Sequence, residues 1–413
     1  MKTNLNLALF VSTCSLIMAG CSSKTGEDVT LDDCPVVAER VPLKNGTDSL
    51  IVVDYNNFDF DHPIDFPLSE YCDYEIVKLE GGSKDIMVGA GTVFAHGNYL
   101  IWKDSMTQRI LIFDRQGHYV STINGKDGPG NFEMVCNSVY IDEEKGEIYA
   151  NLVRSTKVYD LKTGEFKRSI DQGQTTYYLT SAPYKDKLIY SQTPLSYYER
   201  AIWIADKEGN VEQTFPASYF WNMDIVDPIY GESFWVDAES VLLDVGEDYY
   251  MYSLFYYLTE RDSTYHYYPA TNKLIPSATQ VNYAKKNDGD YYAQEETHSY
   301  YSAIYVERGK IIPQYGTYEY KIAHRVIVDK KTLKGSAINL CVDKLGMINI
   351  GLNYGVTFNG DFCLNLPPDI LMQRIEERLN KGGLDSDEWL KLRTLYDSID
   401  DDDNNYIIVG KLK

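Results

Sequence analysis

The sequence predicts an all-β fold, a six-bladed β-propeller with five or seven blades as alternatives, carrying a small helical hairpin inserted in the last blade. Three observations predict it. A strand–Asp–turn–Gly–strand pattern recurs every 46 residues, an isolated strand stands at each end of the array, and one stretch of helical periodicity interrupts the strands near the C-terminus. Four short antiparallel strands in roughly 40–50 residues are the size of one propeller blade.

The recurrent unit occupies residues 110–120 with Asp114 and Gly117, residues 157–166 with Asp160 and Gly164, and residues 202–211 with Asp206 and Gly209. Each copy joins β-branched or aromatic runs through a tight turn, the pattern of a hairpin. A fourth copy, residues 325–335 with Asp329 and Gly335, lies 123 residues beyond Asp206, close to two enlarged periods. The copy between them falls near residues 264–274, which are strand-like but lack the Asp–Gly turn. Because the aspartates recur with the turn, their expected role is to cap it rather than to catalyse. Upstream strand pairs at residues 92–102 and 138–150 complete the first two units.

At the C-terminus, residues 405–412 form a strand with no successor, and residues 74–79 form a strand with no partner ahead of the first unit. Pairing the two closes the ring and removes an exposed edge. Between them, the helical insertion covers about residues 368–400. Asp369 is positioned to cap residues 370–379, where Leu371, Ile375 and Leu379 share a face. After Gly382 and Gly383, Asp385 or Ser386 opens residues 388–399, with Trp389, Leu392, Leu395 and Tyr396 on one side. This hairpin is expected to be structural, its apolar stripe packed on the propeller.

Lys2 precedes an apolar run from Leu5 to Met18 that ends in Ala19, Gly20 and Cys21. The run has the form of an export signal, residues 1–20, and is too short to span a bilayer. The small residues before Cys21 resemble the lipobox of bacterial lipoproteins, with Met18 where Leu is usual. That resemblance implies a diacylglyceryl group on Cys21, which becomes the mature N-terminus. Residues 21–45 are then the lipidated N-terminus and tether, and residues 46–413 the propeller.

The chain has 413 residues, 44% hydrophobic and 24% charged, with a mean hydropathy of −0.34. These values exclude a polytopic membrane protein and a disordered chain. Asp and Glu number 61 against 39 Lys and Arg, a formal charge of −22 that becomes −23 without Lys2. Such a field repels nucleic acid, so no nucleic-acid partner is expected.

No catalytic residue, metal ligand or cofactor site is legible. The six histidines, His62, His96, His118, His266, His298 and His324, never fall at metal-ligand spacings. The segment Gly128, Pro129, Gly130 lacks the Lys and helix of a phosphate loop, and no G-x-S-x-G is present. Among 61 acids, a carboxylate pair at glycosidase separation arises by chance. The acidic stretch from Asp400 to Asn405 lacks the ligand alternation of a calcium loop and reads as solvated. Beyond Cys21, five cysteines remain, Cys34, Cys72, Cys136, Cys341 and Cys363, with no C-x-x-C pair, and most are expected to be buried apolar residues.

Tyrosine is in excess, 36 residues, with clusters between Tyr249 and Tyr301 in the region of the fourth and fifth blades. Aromatic platforms stack on sugars or bind peptides, and Tyr also suits half-buried strands. Tyr267, Tyr268, Tyr291 and Tyr292 are the candidate ligand-binding residues.

The segment Gly125 to Phe132, with Gly128, Pro129 and Gly130, resembles the G-x-x-G-P-G-x-F connection between blades of NHL-like six-bladed propeller lipoproteins of the Bacteroidetes type, a group of unknown function. The resemblance implies a cell-envelope protein anchored by its lipid, in the outer membrane. The expected role is non-catalytic binding of a glycan, peptide or partner protein. The alternative is an envelope hydrolase or lyase acting on carbohydrate, or a metal-dependent hydrolase with its site in the channel.

Overall fold

The computed structural model describes residues 29–413 except 44–45, 47, 90, 105–108, 126–127, 129, 132–137, 153–154, 172–178, 195–197, 221–237, 246–247, 257–262, 281–288, 313–316, 352–355, 359 and 401. Six β-sheets account for the described strands. Blade one comprises Thr92–His96, Tyr99–Asp104, Arg109–Asp114 and Tyr119–Asn124. Blade two comprises Ser138–Asp142, Glu147–Asn151, Ser155–Asp160 and Phe166–Asp171, and blade three Thr180–Tyr184, Lys187–Ser191, Arg200–Ala205 and Val211–Pro216. Each is an antiparallel meander, the arrangement its hairpin repeats predict.

Blade four contains Ala238–Asp244, Tyr250–Tyr256, Ser263–Tyr268 and Lys273–Gln280, so the degenerate copy is a full blade. Blade five contains Gly289–Glu296, Tyr300–Ile312, Thr317–Asp329 and Gly335–Val342, and its two 13-residue strands enlarge the repeat period. Two N-terminal segments are strapped onto these blades. Ser49–Val53 runs parallel to the outer strand of blade four with Ala38–Pro42 beyond it, and Ile64–Pro67 runs parallel to the outer strand of blade five. Regular structure is thus present before residue 46, where Ala38–Pro42 pairs with Ser49–Val53 and Val37 and Ala38 are buried in the seam.

Blade six closes the ring. Val356–Phe358, Asp361–Leu366 and Tyr406–Leu412 come from the C-terminus, and Cys72–Lys78 supplies the fourth strand, antiparallel from Cys72 opposite Leu412 to Lys78 opposite Tyr406. The helical hairpin lies between the second and third strands of this blade, as expected. Its first helix, Pro368–Lys381, starts one residue before Asp369 and has Pro367 at its cap, because proline at the first helical position brings a preset φ and needs no hydrogen bond. Asp369 sits in the first turn instead. Asp385 caps the second helix, Ser386–Ser398, by accepting from the amides of Asp387 and Glu388, both at 2.9 Å. Leu371, Ile375 and Leu392 bury the inner face of the hairpin against blades five and six.

The core is divided among the six seams between blades. Along the third strand of blade one, Ile110 and Ile112 pack toward blade two, while Leu111 and Phe113 pack toward blade six. Both faces of a propeller strand are buried, which explains the continuous apolar runs. Similar wedges hold Val158, Tyr190 and Trp203 between blades two and three, Ile202, Ile204 and Tyr252 between three and four, and Ile327, Phe362 and Ile408 between five and six.

The repeated aspartates cap their turns. Asp114 accepts from the amides of Gln116 and His118, Asp160 from Lys162 and Thr163, Asp206 from Glu208 and Asn210, and Asp329 from Lys331 and Thr332. Hydrogen bonding from the Thr163 amide, foremost among the causes, holds the Asp160 carboxyl below its ordinary range. The turn glycines touch the blade before. A Cβ on Gly164 (φ +70°) would lie 2.1 Å from the Thr122 carbonyl of blade one, and one on Gly117 (φ +89°) 2.3 Å from the Lys78 carbonyl of blade six. In the fourth copy Gly335 opens the next strand, and Leu333 takes the left-handed position at φ +59°.

Two outcomes test this architecture. Gly164→Ala loses about 2–4 kcal/mol in urea denaturation, combining left-handed strain with an overpacked seam, whereas Gly146→Ala, at φ +61° with nothing near its Cβ, loses about 1–2 kcal/mol. Deleting residues 405–413 bares one edge of the second strand of blade six, leaves the closing strand without its partner, and abolishes the cooperative thermal transition.

Candidate binding pocket between the fourth and fifth blades

Two residues before the turn position, blades one, two, three and five carry Ile112, Val158, Ile204 and Ile327, each buried against the following blade. In blade four this position is His266. Tyr268 stands where the others have the turn aspartate, and Asn272, at φ +52°, takes the left-handed position that Gly164 holds in blade two. Among the described residues, Ala278 is the blade-four member of the apolar cluster in the wedge between blades four and five. Val53, Tyr55 and Phe58 of the N-terminal strap fill the seam beside Ala303, Val326 and Val328 of blade five.

What replaces the missing apolar contact is a charged cluster. Glu296, at the end of the first strand of blade five and 3% exposed, faces His266, whose Nε2 lies 2.9 and 3.0 Å from the two carboxylate oxygens. Lys330, the residue after turn aspartate Asp329, forms an ion pair with the same carboxylate and donates to the Thr297 carbonyl at 2.6 Å. Burial alone would raise the Glu296 carboxyl, but the His266 hydrogen bond and the charges of His266 and Lys330 hold it below its ordinary range.

Aromatic rings and the strap complete the walls. The Tyr249 ring stacks on His266 with centroids 3.8 Å apart and planes 20° from parallel, and Tyr268 sits 5.6 Å from Tyr249. Arg40, on the outermost strand, donates to Ser49 Oγ at 3.3 Å and to the Lys330 carbonyl. Together with Asp48 and Ile51 these residues line a pocket of about 290 Å³.

The alternation of strand side chains separates the candidate tyrosines. Tyr267 points toward blade three and is fully buried, its hydroxyl accepting from Gln213 Nε2 at 3.0 Å and donating to Asn272 Oδ1 at 2.8 Å. It is a core residue, which corrects its assignment to a ligand face. Tyr268, its neighbour, points the other way and lines the pocket. Tyr291 and Tyr292 pair with Tyr305 and Ile304, and their side chains lie outside the described residues, as do Cys21 and Phe132.

His266, Glu296 and Lys330 carried no signal as a motif, since they are distant in sequence. The legible sign was a histidine at a repeat position that otherwise holds Ile or Val. The acidic stretch before the last strand is also more structural than composition implies. Asn404 is fully buried, donating to the carbonyls of Glu80 and Ile86 and accepting from the Val88 amide, while Asp403 pairs with Lys78 at 2.6 Å. Cys34, Cys72, Cys341 and Cys363 are buried free thiols, and Cys136 lies outside the described residues.

Removing the Glu296 charge strands Lys330 in the seam. Glu296→Gln is expected to lower stability by about 3–5 kcal/mol at neutral pH. Because the folded carboxyl titrates below its unfolded value, its contribution is complete above about pH 4.3 and is lost as pH falls through the folded value. The deficit of the variant relative to wild type, followed by melting temperature against pH, therefore narrows on acidification.

Comparison with known proteins follows the fold. Among curated proteins none matches the sequence. A Bacteroides fragilis protein described as exported is similar in structure, with TM-score 0.52 and 14% identity over 85% of this chain and 98% of that one. A DUF4221 family member from Bacteroides vulgatus aligns with TM-score 0.42 and 10% identity over 83% of this chain and 98% of that one. Residues 44–361 match a family defined as a six-bladed β-propeller, and the chain belongs to that family, DUF5128.

Proposed function

We propose that this propeller is a non-catalytic binding protein of the bacterial cell envelope, anchored in the outer membrane by lipid on Cys21, and that its ligand occupies the pocket between blades four and five. The observation that carries the reading is His266, which exchanges an apolar wedge for a polar cavity at a place where four other blades keep Ile or Val. Of the ligand classes considered, glycan, peptide and partner protein, a saccharide unit suits the walls best. Tyr249 and Tyr268 offer aromatic surface, and Arg40, Asp48, Ser49 and Lys330 offer polar groups of both signs. The export-type leader, the likeness of residues 125–132 to NHL-type connections and the exported relative of the same fold support the location.

His266 and Lys330 keep Glu296 ionised, which does not fit the role of a general acid.

The reading is tested by calorimetric titration of the leaderless protein with envelope oligosaccharides and with peptides. Tyr268→Ala is expected to weaken saccharide binding by about 5- to 150-fold with a nearly unchanged melting temperature. His266→Ile, which restores the residue type of the other blades, is expected to remove binding while the fold persists. Tyr267→Ala should instead lower the melting temperature sharply. Saccharide affinity unaltered by both Tyr268→Ala and His266→Ile would reject the pocket.

A further inference from the structure

The two cations of the pocket are held in different ways. Lys330 is committed to the buried Glu296 carboxylate and to the Thr297 carbonyl. Arg40, at the rim, donates to Ser49 Oγ at 3.3 Å and to the Lys330 carbonyl. Both of its acceptors are neutral, so they orient the guanidinium without cancelling its charge and leave other N–H groups of the fork available. Among the described residues no carboxylate pairs with Arg40, in a chain where 61 acids face 39 bases. The imidazole of His266 is also partly available, because its contacts to Glu296 are made through Nε2 and Nδ1 has no partner among the described residues.

Charge balance then limits what the cavity can hold. Arg40 and Lys330 offset Asp48 and Glu296, so apart from His266 the lining is formally neutral. The acids are felt at Tyr268, where burial first, and then the charges of Asp248, Asp48 and Glu296, raise the phenol above its ordinary range. A group with a single negative charge can pair with Arg40, whereas a second charge meets those acids without a cation to answer it. A carboxylate has the single charge, and its paired oxygens match the planar guanidinium fork; a phosphate monoester carries nearly twice the charge. The volume of about 290 Å³ is at the small end for ligand pockets, so one sugar ring with its substituent reaches both the strap and blade four.

We propose that the pocket selects an acidic saccharide, a uronic acid whose carboxylate accepts from Arg40 while a ring hydroxyl meets His266 Nδ1 and the ring face rests on Tyr268. This rests on the saccharide pocket proposed above and names the class of sugar. Because Arg40 belongs to the strand Ala38–Pro42, the selectivity comes from the N-terminal strap and not from a blade.

The test measures, by calorimetry on the leaderless protein, the affinities of galacturonic acid and glucuronic acid trimers and of their methyl esters, which keep the sugar and remove the charge. In at least one series the acid is expected to bind about 10- to 150-fold more tightly than its ester. Arg40→Gln is expected to bring that ratio to within about twofold of one, and Arg40→Lys, which keeps the charge but loses the fork, to leave an intermediate ratio. Melting temperatures of both variants, expected close to wild type because Arg40 is exposed, check that the strap stays docked. Equal affinity for acid and ester, a ratio that survives Arg40→Gln, or binding of neutral envelope oligosaccharides but of neither acid overturns the acid selectivity alone. Tighter binding of galactose phosphate than of either acid overturns the carboxylate in favour of phosphate. Absence of binding by every saccharide, neutral or acidic, overturns the saccharide pocket and the selectivity with it.

Discussion

The structure depends on the closure of blade six, where the strand Cys72–Lys78 from the front of the chain is laid against Tyr406–Leu412 from its end. Each seam is a wedge of apolar side chains shared by two blades, so no blade can bury both faces of its strands without both neighbours. In an open array, the first and last blades would each expose an apolar face and an unpaired edge. The seven paired positions of the closing ladder therefore hold six wedges in place at once.

The turns transmit that constraint around the ring. An aspartate side chain satisfies the amides of its own turn, and the neighbouring glycine lets the turn approach the outer strand of the blade before. Local and tertiary requirements meet at Gly117 and Gly164, where a left-handed backbone and a close approach are both needed. Leu333 shows what happens without the close approach: it occupies the left-handed position and packs its side chain against the seam beneath the N-terminal strap.

The seam between blades four and five is where the pattern is exchanged for another. The strap runs alongside it, and the apolar contact at the repeat position becomes His266, compensated by Glu296 and Lys330. A buried carboxylate shared by an imidazole and an ammonium replaces nondirectional packing with directional contacts, and so leaves room between them. The aromatic rings and the arginine that border this space come from four separate stretches of chain, which makes the pocket a product of the fold rather than of any local motif.

The sequence alone determined the blades, the turn aspartates, the helical insertion and the pairing of the terminal strands, because each rests on local turn chemistry, hydrophobic periodicity or a strand left without a partner. It also marked blade four as exceptional and Tyr268 as a residue of interest. Only the tertiary structure decided that Tyr267 is core while Tyr268 lines a cavity, since neighbouring residues on a strand face opposite seams and composition is blind to which seam is polar. Leu50 to Val53 of the strap is legible as a strand, but which outer strand it joins is set by main-chain pairing and by the seam that Ile51, Val53, Tyr55 and Phe58 fill. The meeting of His266, Glu296, Lys330 and Arg40 depends on how far the ring brings two blades and the strap together, a distance that no spacing along the chain encodes.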